Sequence, residues 1–126
     1  MEKNRRVVIR EKLKILKEQC KPTDIWSELL ETDELYEELY TKQGIESISN
    51  EIDTFIDSLI KFDSYVNINA IDDVLKTLVL SLNELNDEFD VIGTEEREQL
   101  YGFICEVLEL IEFQYDNTTI DKYRKW

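Results

Sequence analysis

Residues 69–89 read NAIDDVLKTLVLSLNELNDEF, and the spacing of their apolar side chains decides the fold. Ile71, Val74, Leu75, Leu78, Val79, Leu82, Leu85 and Phe89 fall at offsets 0, 3, 4, 7, 8, 11, 14 and 18. That is one stripe along a helix; a strand would alternate from residue to residue. Asn69 has N-cap chemistry, because its side chain can accept from a free N–H of the first turn.

The neighbouring segments repeat the pattern. Ile45, Ile48, Ile52, Phe55, Ile56 and Leu59 sit at offsets 0, 3, 7, 10, 11 and 14 and predict a helix, with Gly44 as the stop for what precedes it. Residues 63–69 have turn chemistry and no period. Beyond the 69–89 helix, Asp90–Gly93 breaks the chain and Thr94 is the expected cap of the next helix. Its first turn carries Glu95 and Glu96, which complement the helix dipole. Leu100, Phe103, Ile104, Val107, Leu108 and Ile111 form its apolar face. The tail after Asp116 predicts a short turn through Ile120 and Tyr123.

Toward the N-terminus, Ile9, Leu13, Leu16 and Cys20 (offsets 0, 4, 7 and 11) predict a helix from about residue 4, ended by Lys21–Pro22. Thr23 and Asp24 are expected caps of the following helix. Its apolar run of Ile25, Trp26, Leu29 and Leu30 is interrupted at residues 31–34 before Leu35, Tyr36, Leu39 and Tyr40. Residues 23–40 therefore read as one helix or as two meeting near Thr32. The 126 residues, 42% hydrophobic with three Gly and one Pro, predict a single all-α domain. Its architecture is an antiparallel bundle of four to five helices with short loops.

The formal charge is −14 and is unevenly spread. Residues 1–22 carry eight basic and three acidic groups, whereas residues 23–115 carry four cations against 24 acids. Such a body repels nucleic acid and attracts basic proteins. No apolar window is long enough for a membrane span or a signal peptide, so a cytoplasmic protein with reduced Cys20 and Cys105 is expected.

Histidine is absent, which removes Ser-His-Asp and Cys-His nucleophile systems. Neither a Walker loop nor a GxGxxG turn is present. Neither cofactor nor metal is expected. One catalytic pattern is worth weighing: Glu34/Glu37 and Glu84/Asp87 share the i, i+3 carboxylate spacing of Mg²⁺-dependent all-α nucleotide pyrophosphatases. Among 29 acids, however, Glu28/Glu31, Glu95/Glu98 and Glu106/Glu109 match the same spacing, and no basic cluster stands by for phosphates. A non-enzymatic binding protein is the expectation.

Three faces are candidate contact surfaces. The helix from Thr94 sets Glu95, Glu98, Gly102, Cys105, Glu106, Glu109 and Glu112 opposite its apolar stripe, where Gly102 would make a shallow dip. Tyr36, Glu37 and Tyr40 offer aromatic anchors among carboxylates; the alternative is that the tyrosines face the core and Leu35 and Leu39 face out. The third face is the acidic connection NELNDEFDVIGTEERE, residues 83–98.

Within this third region, Leu82–Asn86, Asp90–Glu98, Leu100 and Phe103–Ile104 carry a family resemblance. The stretch from about residue 70 to 112 resembles small acidic helical immunity proteins of bacterial polymorphic and contact-dependent growth-inhibition toxin systems. The resemblance implies an antitoxin that binds one cognate toxin domain, often a basic nuclease, and blocks its active site. It implies toxin contacts at Asp87, Asp90, Glu95 and Glu98, while Arg97, nearer the core side, is expected in an internal salt bridge. A monomer or weak homo-oligomer fits this role. The rival readings are an acidic regulatory adaptor or nucleic-acid mimic that binds a host factor, and head-to-tail self-association through the basic N-terminal helix.

Overall fold

A computed structural model describes residues 2–62 and 64–126. Five helices of eleven residues or more form an antiparallel bundle with short connections: α1 (Glu2–Gln19), α2 (Pro22–Thr32), α3 (Lys42–Ile60), α4 (Ile68–Phe89) and α5 (Thr94–Leu110). A 3-10 segment (Glu34–Glu38) joins α2 to α3, and a five-residue α6 (Asn117–Asp121) lies near the C-terminus. Among the described residues there is no strand. No helix is long and apolar enough to cross a membrane.

The helix faces read from spacing are buried in α3, α4 and α5, but Cys20, just past the end of α1, and Ile25 on α2 are exposed. Leu75, Leu82, Leu100, Ile104, Ile48 and Ile56 are fully enclosed. α3 and α4 form the most extensive pairing, with α1 and α2 laid against α3 and α5 closing the bundle over α1 and α2. Burying each such side chain contributes about 1.5–3 kcal/mol, so this apolar seam dominates the stability.

Several boundaries differ from expectation, each for a local reason. The chain from 23 to 40 is two pieces: α2 ends at Thr32, and Asp33 then caps the 3-10 segment by accepting from Leu35 N at 3.0 Å. α2 itself begins at Pro22, whose ring presets the first helical φ and lacks the N–H that would otherwise be unsatisfied. Thr23 is buried rather than capping. Asn67, two residues earlier than Asn69, caps α4 by accepting from Ala70 N at 3.1 Å. In α5 the cap position is Gly93 and Thr94 is the first helical residue; Glu96 reaches back to accept from Gly93 N at 3.1 Å. Within the expected 63–69 turn, Asp63 lies outside the described residues.

Gly44 is not a stop. It sits in the first turn of α3, whose cap Thr41 accepts from Gly44 N at 3.0 Å. A Cβ at this position would lie 2.7 Å from Thr41 Oγ1, 2.9 Å from Val91 Cγ2 and 3.0 Å from Phe89 Cβ. Glycine is there because the start of α3 passes tightly against the end of α4.

Part of the positive charge of the N-terminal segment is paired within the molecule. Lys17 Nζ meets Asp57 Oδ1 at 2.9 Å, and Lys21 Nζ meets Asp53 Oδ1 at 2.7 Å and donates to Ser49 Oγ at 2.8 Å. Arg10 donates to the Phe62 carbonyl at 3.2 Å, and Arg5 pairs with Glu112. The Asp57 carboxylate, by hydrogen bond and charge, raises the Lys17 ammonium above its ordinary value. The order of these pairs, residues 17 and 21 against 57 and 53, is what two antiparallel helices produce.

The C-terminal tail is fastened to α4. Asn83, 6% exposed, donates from Nδ2 to the Tyr123 carbonyl at 2.7 Å and accepts at Oδ1 from Lys125 N at 2.8 Å. Tyr123 also donates through its hydroxyl to Asp72 at 2.9 Å, while Ile120 and Trp126 are buried.

Candidate protein-interaction surface

The 3-10 segment and the α4–α5 turn meet at one end of the bundle. Their link is Tyr40, whose hydroxyl donates to Glu96 Oε2 at 3.1 Å. The Tyr40 ring stacks on Trp26 at a centroid distance of 6.0 Å and on Tyr36 at 5.3 Å. Trp26 in turn donates from Nε1 to Gln99 Oε1 at 2.7 Å. Burial, reinforced by the Glu96 carboxylate, pushes the Tyr40 phenol above its ordinary value. Tyr40 is 3% exposed and Tyr36 half-buried, so Tyr40 is not an outward anchor, and Tyr36 presents only part of its ring. The physical reason is that a Trp–Tyr–Tyr stack, with the polar tips of Trp26 and Tyr40 satisfied, outcompetes the burial of two leucines. Leu35 and Leu39 accordingly face solvent, 78% and 60% exposed. Glu37 is exposed beside them.

Asp87, Asp90, Glu95 and Glu98 are all exposed around the α4–α5 turn. Asp90 takes the left-handed conformation (φ 51°) that ends α4, a geometry Asp tolerates better than most residues. Asn86 accepts from Ile92 N at 2.8 Å and shapes the turn from below. Among the described residues, no ion pair engages Glu37, Asp87, Asp90, Glu95 or Glu98. Their charges are left facing water.

From Glu95 the outward face of α5 runs through Glu98, Gly102, Glu106 and Glu109, all exposed. Two of the three candidate faces are thus one surface, joined at Glu95 and Glu98. A Cβ at Gly102 would meet nothing within 4 Å, so this glycine is not demanded by packing. Toward the far end the surface changes. Glu109 accepts from the Tyr115 hydroxyl at 2.6 Å, which drives that phenol above its ordinary value, and Glu112 is paired with Arg5. Burial pushes the Cys105 thiol up, away from reactivity.

Arg97 forms no salt bridge among the described residues, contrary to expectation. No group of three or more Cys, Asp or Glu among the described residues is placed to hold a metal ion. Glu34/Glu37 and Glu84/Asp87 therefore do not converge on one site.

Two structural roles were not legible in the sequence. Glu96 is a clamp on Gly93 and Tyr40, and Asn83 is a clamp on the tail at Tyr123 and Lys125; Tyr40 is 56 residues from Glu96, and Tyr123 is 40 residues from Asn83. No family model matches the chain, and no curated protein or solved structure is significantly similar to it.

Proposed function

We propose that this protein is a toxin-neutralising immunity protein, a stoichiometric binder that covers the basic active-site surface of one cognate toxin domain with its own carboxylates. The observation that carries this reading is the exposed, ion-pair-free set Asp87, Asp90, Glu95 and Glu98. These groups stand around the α4–α5 turn, whereas the Arg5–Glu112 pair lies beyond the far end of α5. A nuclease domain holds phosphates with cations, and a fixed polyanion competes for the same cations without being a substrate. Glu106 and Glu109 extend the surface along α5, and the dip at Gly102 allows close approach.

Electrostatic steering makes association fast and salt-sensitive, whereas the final affinity depends on what is buried at the centre of the contact. The test is capture from the source organism's lysate at low and high salt with the purified protein as bait. One basic polypeptide, retained at low salt and weakened at high salt, is the expected result. Capture of nothing, or of abundant basic proteins without preference, counts against it.

A further inference from the structure

Carboxylates speed the encounter with a basic protein but add little net affinity once they must be desolvated, so tight binding needs apolar anchors among them. The 3-10 segment holds a pair. Because Tyr36 and Tyr40 turn inward, Leu35 and Leu39 are presented four residues apart, with exposed Glu34, Glu37 and Glu38 interleaved. The segment is braced at both ends: Asp33 accepts from Leu35 N at 3.0 Å, Tyr40 N bonds to the Tyr36 carbonyl at 2.8 Å, and the Tyr40 hydroxyl is held by Glu96. The leucines therefore project from a fixed turn.

Of the other exposed apolar side chains, Ile25 on α2 and Leu80 within α4 stand singly, and the rest have different settings. Val8 and Ile15 lie among the cations of α1, and Val66 and Ile68 lie in and just after the α3–α4 connection, at the opposite end of α3 from the 3-10 segment.

We infer that Leu35 and Leu39 are the apolar anchors of a docking surface for a basic protein segment, one that sets apolar side chains between lysines or arginines. This rests on the reading of the acidic end as a binder of basic protein. A leucine pair inside a carboxylate frame matches such a segment in both polarity and charge. The occupant is a separate protein; a second copy, whose α1 also sets Val8 and Ile15 among cations, meets the general repulsion of two bodies of formal charge −14 and is the outcome that sedimentation separates.

The probe is a synthetic helical peptide with leucines four apart and flanked by lysines, titrated by fluorescence anisotropy onto the full chain at low and high salt. Four proteins are compared: wild type, L35S/L39S, E34Q/E37Q/E38Q and V66S/I68S. All substituted side chains are exposed, and matching circular dichroism and melting curves establish that each variant is folded. The expected result is that L35S/L39S weakens binding about tenfold at both salts, as loss of a central anchor does. E34Q/E37Q/E38Q flattens the salt dependence, and V66S/I68S binds like wild type. Salt-sensitive binding that ignores L35S/L39S overturns this inference while leaving the acidic-surface reading intact. Binding at neither salt overturns both. Self-association in sedimentation that L35S/L39S abolishes also overturns it, assigning the surface to a second copy.

Discussion

The Tyr40 hydroxyl donates to the Glu96 carboxylate at 3.1 Å, tying the segment before α3 to the first turn of α5 across 56 residues of sequence. The same carboxylate accepts from Gly93 N through its other oxygen, so one side chain fixes both the start of α5 and the 3-10 segment. The outward direction of Leu35 and Leu39 is a consequence of this pair.

Replacing Tyr40 with Phe keeps the ring stack and removes the bond to Glu96, at an expected cost of about 0.5–1.5 kcal/mol. Tyr40→Ala also loses the stacks on Trp26 and Tyr36, and about 3–5 kcal/mol is expected from the emptied site. Urea denaturation checks both. Alkali gives a second readout. The folded phenol ionises above its ordinary 10.0, so its contribution is fully present below that pH and is lost as pH rises toward the folded value. Tyr40→Phe should lose less stability than wild type on moving from below to above pH 10.0.

The two helical glycines should respond with opposite signs. Gly44→Ala forces a Cβ to within 3.0 Å of three atoms and is expected to cost about 1–3 kcal/mol by overpacking. Gly102→Ala meets open space within a helix and should stabilise by about 1 kcal/mol. Paired melting curves decide the matter; equal signs would contradict the packing described for Gly44.

The difference between these glycines shows what a sequence can and cannot convey. Periodicity made the buried faces of α3, α4 and α5 legible, because solvent and core sort side chains every three or four residues. It was silent on Tyr36 and Tyr40 versus Leu35 and Leu39, two pairs with the same spacing; the Trp26 stack and the Glu96 bond decide between them. Gly44 looked like a helix end, but its role comes from Val91 and Phe89, nearly fifty residues away. The acidic residues of the α4–α5 turn were visible directly. That they escape internal pairing was not, since it depends on where α1 docks.

Asn83 should prove the hinge pin of the C-terminal tail. Asn83→Ala leaves the Tyr123 carbonyl and Lys125 N without their partner, and a loss of about 1–3 kcal/mol is expected. Hydrogen exchange should show Lys125 N losing protection before the core of α4 does. Simultaneous loss over the whole chain would mean the tail is integral to the bundle.

The most direct test of the acidic end as a binding surface is an inhibition titration of the captured basic partner, with wild type compared against D87N/D90N/E95Q/E98Q. Asn tolerates the left-handed geometry at position 90, so the variant should fold unchanged. The expected result is that wild type abolishes the partner's activity at one equivalent, while the variant associates at least about tenfold more slowly at low salt and converges toward wild type at high salt. Equal association and inhibition by both proteins at low salt would contradict the assignment of these carboxylates as the contact surface.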